Sequence, residues 1–156
     1  MENKIMRKSL TLKRMAALKA GLLAGSIQGL ICNLISYFIS NDLGISLGIL
    51  GFGLLNVYGI YTIIFGTLAG ALIGLVLSFL ITFLHSRISG SFFLKILLLT
   101  SSFWIIFNLI PLLFTLTTPI VTLSLEYIRN AIVIGLVGIL IFTYLFNYFF
   151  SRFRWG

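Results

Sequence analysis

The sequence predicts an all-α fold: an integral membrane four-helix bundle with a short interfacial or re-entrant segment after the first helix. Its composition is the first reason. Hydrophobic residues make up 60% of the 156-residue chain and charged residues only 9%, whereas about 25% of a soluble domain is charged. Because so few charges cannot cover a water-exposed surface, we expect a single membrane domain over residues 1–156, with the lipid bilayer as its surroundings.

The distribution of charge is the second reason. Eleven Lys and Arg residues stand against three Asp and Glu residues, and six of the eleven lie in the first 19 residues. With four crossings, ten basic residues fall on the side of the N-terminus and only Arg129 on the other. Since basic residues concentrate in cytoplasmic segments, this positive-inside pattern predicts a plasma-membrane protein with both termini in the cytoplasm. The basic residues flank apolar segments instead of alternating with stacking aromatics, so nucleic acid is not an expected partner.

The first crossing is predicted at residues 16–39, after a basic cytoplasmic lead over residues 1–15. This length exceeds the ~20 residues that a helix needs to cross the hydrocarbon. Gly21, Gly25 and Gly29 recur at every fourth position within it, so they are expected on one helical face.

A long stretch without any Asp, Glu, Lys, Arg or His residue runs from Leu43 to Leu84. A single helix of its 42 residues would extend about 63 Å, roughly twice the hydrocarbon thickness. We therefore divide it into an interfacial or re-entrant segment at 43–56 and a second crossing at 57–84.

The third crossing is predicted at 92–117 and the fourth at 130–150, followed by a cytoplasmic tail at 151–156. Pro111 lies inside the third crossing, where it removes a backbone donor and predicts a kink.

Glycine stripes predict where the helices pack. Inside lipid the hydrophobic effect does not drive helix association, so close backbone packing between small residues has to supply it. Such a glycine-zipper pattern serves packing within the chain or against a second subunit, and the sequence leaves both open. The predicted helix-packing residues are Gly21, Gly25, Gly29, Gly66, Gly70, Gly74, Gly135 and Gly138.

Polar residues on the first and third crossings form the candidate cleft. Its members are Gln28, Asn33, Trp104 and Asn108. They could bind a neutral solute, or they could be a locally satisfied cluster that holds helices together. None of them titrates, and no crossing has an ionisable residue at its middle, which disfavours a proton relay.

Enzymatic activity is not expected. His85 is the only histidine and Cys32 the only cysteine, so the multi-ligand metal sites that these residues build are not expected in one chain. No serine has a visible base and acid partner. We expect no catalytic residues, no metal site and no cofactor.

Two functions remain open from the sequence. The first is a non-enzymatic interaction or accessory subunit that docks through its glycine-lined helix faces, onto partner membrane subunits or in a homo-oligomer. The alternative is a small oligomeric transporter or channel for a neutral solute or ion. A 45-residue shift aligns parts of the first two crossings, which fits either an inverted repeat of the transporter type or shared glycine-rich composition.

Overall fold

The computed structural model describes residues 2–43, 60–84, 88–106 and 125–155. These ranges contain four α-helices and no strand, which confirms the predicted all-α class. In chain order the helices are α1 (Glu2–Leu43), α2 (Ile60–Leu84), α3 (Phe92–Trp104) and α4 (Leu125–Trp155).

Three of these helices are long and apolar enough to cross a membrane. The candidate spans are Arg14–Ile35, Ile63–Leu84 and Ile132–Phe153, each of 22 residues. A helix of that length extends about 33 Å, which covers a hydrocarbon core of about 30 Å. The protein is therefore a helical membrane protein.

The third predicted crossing is described only in its first part. α3 has 13 residues and extends about 20 Å, which is shorter than the hydrocarbon thickness. The rest of the predicted crossing, with Asn108 and Pro111, lies outside the described residues, as does 44–56 of the predicted interfacial segment.

Two helices extend beyond the predicted crossings. α1 already begins at Glu2, so the basic lead is helical and continuous with the first span. α4 begins at Leu125 and includes most of the predicted tail. The lead contains no Gly or Pro and is rich in Lys, Arg, Leu and Met, which are all favourable helix formers. Hydropathy predicts which part of a helix lies in lipid. Helix propensity, by contrast, determines how far the helix continues beyond the lipid.

The start of α3 is fixed by a capped turn. Gly90 has φ +113, a left-handed conformation that glycine adopts without steric cost. At Ser91 the backbone is extended, and its hydroxyl accepts a hydrogen bond from the amide of Leu94 at 3.3 Å. This is the usual way in which an N-cap serine satisfies a free amide of the first turn.

The hydrophobic core joins all four helices. Small residues of α1 meet larger side chains of α2, α3 and α4, and the Phe146 ring stacks on Phe142 at 5.7 Å and on Phe150 at 5.9 Å. Phe92, at the start of α3, stacks on Phe150 at 5.0 Å, which places the start of α3 beside the end of α4. The core comprises Ala17, Ala20, Ala24, Leu77, Ile81, Ile96, Phe142 and Phe146.

Candidate functional site: a glycine-lined helix interface

Three glycines of α1 pack directly on three glycines of α2. We call this contact the glycine seam; it consists of Gly21, Gly25 and Gly29 of α1 and Gly66, Gly70 and Gly74 of α2. The pairs run in opposite order along the two helices. α1 and α2 are therefore antiparallel, and both glycine faces are occupied within one chain.

At the middle of the glycine seam the contact is between backbones. A β-carbon at Gly25 would fall on the carbonyl oxygen of Gly70 and lie 2.9 Å from the Cα of Gly74. In return, a β-carbon at Gly70 would fall on the carbonyl oxygen of Gly25 and lie 2.8 Å from the Cα of Gly29. No side chain is present that could rotate away, so both positions need glycine for this helix separation.

The seam ends in a buried serine at one side. A β-carbon at Gly21 would lie 2.9 Å from Oγ of Ser78, which is fully buried. The Ser78 hydroxyl donates to the carbonyl of Leu75 at 2.7 Å. Its polar atom is therefore satisfied within α2, and the small side chain extends the seam by one turn.

At the other end of the seam, Asn33 of α1 packs on Gly66. Its carboxamide occupies the space that a β-carbon at Gly66 would take, with Oδ1 at 2.5 Å from that position. The side chain is only 7% exposed, and its Nδ2 donates to the carbonyl of Gly29 at 2.6 Å. The amide is thus bonded to its own helix while its bulk fills a gap in the neighbouring one.

Gln28 and Cys32 of α1 pack on Gly138 of α4. A β-carbon at Gly138 would lie 2.9 Å from Nε2 of Gln28 and 3.1 Å from Sγ of Cys32. Gln28 lies one turn before Cys32 on α1, and Cys32 is 1% exposed. This glycine lets a polar pair of α1 approach the backbone of α4.

Trp104, the last residue of α3, packs on Gly135 of α4. Its indole atoms Cε2, Cζ2 and Nε1 lie where a β-carbon at Gly135 would be. Thr100, one turn earlier, is buried, and its hydroxyl donates to the carbonyl of Ile96 at 2.8 Å. The Thr100 hydroxyl is therefore satisfied as a donor within α3.

The described members of the candidate cleft are thus divided over three helix contacts. Asn33 faces α2, whereas Gln28 and Trp104 both face α4 and pack on glycines three residues apart. Asn108 lies outside the described residues. Each of the three polar side chains takes the space beside a glycine of another helix.

Three polar residues that are buried in the described structure, Ser78, Thr100 and Thr143, were not predicted site residues. Thr143 of α4 is fully buried, and its hydroxyl has no hydrogen-bond partner among the described residues. It lies next to Phe142 in the buried face of α4. In the sequence Thr143 is a single threonine among aromatic residues, and no spacing pattern distinguishes it as a site residue.

The chemistry of this interface is neutral. The residues of the glycine seam carry no charge, and neither do Gln28, Asn33 and Trp104. Over the described ranges, no group of three or more His, Cys, Asp or Glu residues could hold a metal ion. Comparison of the chain with protein-family models, with curated proteins and with solved structures finds no match.

Proposed function

We propose that this protein is a non-enzymatic accessory subunit of a membrane assembly. The observation that carries the proposal is the position of Gln28, Asn33 and Trp104, each packed in the space beside a glycine. Side chains that would line a solute path are used here as packing elements. A neutral, densely packed interior fits a protein whose role is to hold a shape against a partner.

The surface that meets the partner differs from the one that the sequence favoured. Docking through the glycine faces would require those faces to be exposed, but the six glycines of the seam contact one another within the chain. The outer side of α2 is the most exposed of the three spans, since 22% of the α2 span is buried against 44% for α1 and 39% for α4.

We call this surface the outer ridge of α2. Its large side chains are exposed and recur at intervals of three and four residues, the spacing by which helices interlock side chains in coiled-coil packing. Membrane helix pairs frequently use the same geometry. The ridge consists of Tyr61, Phe65, Leu68, Leu72, Val76, Phe79 and Phe83.

The orientation that we propose follows from the charges at the two ends. Arg14 and Lys19 lie near the start of the α1 span, Lys95 near the start of α3 and Arg152 near the end of α4. The packing described above brings these segments to one end, which we call the basic end; Arg129 is at the other. By the positive-inside rule the basic end faces the cytoplasm, and the plasma membrane is the proposed location.

The alternative function is a small transporter or channel, and Thr143 favours it. A buried hydroxyl without a partner among the described residues is available to a small polar solute. Under this alternative, Asn108→Leu would abolish flux in liposomes while leaving the assembly intact. If this variant leaves the flux of every tested solute unchanged, the transport alternative loses Asn108 as a predicted site residue.

Native mass spectrometry after gentle extraction at natural expression tests the accessory role. We expect a different membrane protein to co-elute at fixed stoichiometry. Leu72→Ala on the outer ridge should reduce the retained partner, whereas Leu140→Ala, at a similarly exposed position on α4, should not. The chain alone or a closed homo-oligomer would contradict the proposal and shift the weight to transport.

A further inference from the structure

A surface groove of about 350 Å³ lies between α1, α2 and α4 near the basic end. Its volume is more than ten times the ~30 Å³ that a water molecule occupies in the liquid, so it can take a segment of hydrocarbon chain. The groove is lined by Leu18, Lys19, Leu22, Leu23, Leu75 and Phe153.

Lys19 is the one charged residue in this lining, and it is exposed. It lies five residues into the α1 span, whereas Leu22 and Leu23 lie about one turn deeper. Phe153 is the last residue of the α4 span, so it lies at the same shallow level. A long lysine side chain at this depth extends its ammonium toward the headgroups. The groove is therefore apolar at its deep side and cationic at its shallow side.

We propose that this groove binds one anionic phospholipid. An acyl chain lies along the leucines and Phe153, and the lipid phosphate pairs with the ammonium of Lys19. A concave apolar surface with one well-placed polar group is the common design of small-molecule sites. The site is independent of the accessory role, because it needs only the lipid of the host membrane.

The charges at the basic end favour an anionic lipid over a zwitterionic one. Arg14 lies five residues from Lys19, and Arg152 precedes Phe153. Arg152 Nη1 donates to the hydroxyl of Tyr148 at 3.2 Å. The chain has three acidic residues, Glu2, Asp42 and Glu126, and none lies within a membrane span. A choline headgroup would bring its own cation into this positive field, whereas a net anionic headgroup would not.

The test measures which lipid stays bound. The purified full chain is equilibrated with equal amounts of phosphatidylglycerol and phosphatidylcholine, and native mass spectrometry counts the lipids retained. We expect the anionic lipid to predominate. Lys19→Gln should lower its preference about fivefold, the effect of the ~1 kcal/mol that one basic residue contributes near an anionic surface. Lys19→Arg should retain most of it.

A control substitution distinguishes lipid binding at the groove from a general attraction of anionic lipid to the basic protein. Arg129→Gln removes the same charge at the far end of the bundle, and we expect the lipid preference to stay unchanged. An equal loss in Lys19→Gln and Arg129→Gln would overturn the proposal, as would equal binding of the two lipids to the unaltered protein.

A second variant tests the groove itself. Leu22→Trp should fill part of it and lower the amount of either lipid that is bound; Leu22 is already 42% exposed, so the larger ring has room to extend outward. Leu23→Trp serves the same purpose if the first variant does not fold. Undiminished lipid binding in a folded variant would show that the acyl chain lies elsewhere and would overturn the proposal.

Discussion

The carboxamide of Asn33 on α1 occupies the space that a β-carbon at Gly66 of α2 would take. Its Nδ2 donates one of its two hydrogens to the carbonyl of Gly29 at 2.6 Å, so that donor of the amide is satisfied within α1. A buried donor left without a partner costs about 1–3 kcal/mol. One side chain thus fills a gap between two helices and satisfies one of its donors within its own helix.

This relationship predicts an energetic coupling between positions 33 and 66. Gly66→Ala should lower the free energy of unfolding by about 1–3 kcal/mol, the usual cost of overpacking, because the new methyl group overlaps the Asn33 carboxamide. In an Asn33→Ala background the same substitution should cost much less. A double-mutant cycle in mild detergent measures the difference; additive effects would mean that the two residues do not touch.

The middle of the glycine seam should be the least tolerant part of the protein. Gly25→Ala and Gly70→Ala each place a methyl group against the carbonyl oxygen and Cα of the opposite helix, so only a separation of α1 and α2 can relieve the overlap. We expect each substitution to lower the free energy of unfolding by about 2–3 kcal/mol, at the upper end of overpacking costs.

Gly138→Ala is the matched control for the seam. Its methyl group would meet Nε2 of Gln28 at 2.9 Å, the end of a flexible side chain that can move. Alanine has a helix propensity up to ~1 kcal/mol more favourable than glycine. Gly138→Ala and Gly70→Ala both gain this term, so it does not account for a difference between them. We expect a smaller loss in thermal stability than for Gly70→Ala; equal losses would contradict a backbone contact in the seam.

Trp104 should report on its contact with Gly135 by fluorescence. In a Trp155→Phe background Trp104 is the only tryptophan, and its indole packs on the α4 backbone. Gly135→Leu should displace the ring and shift its emission maximum, whereas Leu136→Ala, one residue along at an exposed position, should not. An emission maximum that is the same in both variants would contradict this contact.

The two buried threonines should respond in opposite directions to loss of the hydroxyl. Thr143→Val should raise the free energy of unfolding by about 1 kcal/mol, because its hydroxyl is buried without a partner in the described structure. Thr100→Val should lower it by up to ~1 kcal/mol, since its hydroxyl donates to Ile96. Destabilisation by Thr143→Val would show that its hydroxyl has a partner, such as a solute or a residue beyond the described ranges.

Thiol labelling tests the orientation. In a Cys32→Ala background, Ser9→Cys in the basic lead should react with an impermeant reagent only after the cells are permeabilised. Ser46→Cys, in the predicted interfacial or re-entrant segment that follows the first crossing, should react in intact cells. Reversed accessibility would overturn the proposed orientation, and reaction of both from one side would overturn the number of crossings.

Spacing along the chain predicted the faces of the helices but not their pairing. Gly21, Gly25 and Gly29 share a face because of helical geometry alone, and that much can be read from residue numbers. That this face meets Gly70 and Gly74 in the same chain depends on the long-range packing of two helices, so the sequence left a second subunit open.

The candidate cleft shows the same limit for polar residues. Trp104 and Gly135 are far apart in the chain, and no local pattern links them. Asn33 was a candidate for a shared polar site, yet its amide bonds four residues back in α1, a local option that any helical asparagine has. Local rules identify which residues are polar and buried, whereas the neighbouring helix decides what they contact.

Disulfide trapping tests most directly whether the glycine faces pack within one chain. A β-carbon at Gly21 would fall on the carbonyl oxygen of Gly74 and lie 2.5 Å from the β-carbon of Ser78, so a separation of the helices by roughly 1–2 Å reaches the Cβ–Cβ distance of a disulfide between cysteines at these positions. In a Cys32→Ala background, Gly21→Cys and Ser78→Cys in one chain should form a cross-linked monomer on mild oxidation. Two co-expressed copies that carry one substitution each should not cross-link. Efficient cross-linking between those copies, with none inside the doubly substituted chain, would show that the glycine seam joins two subunits.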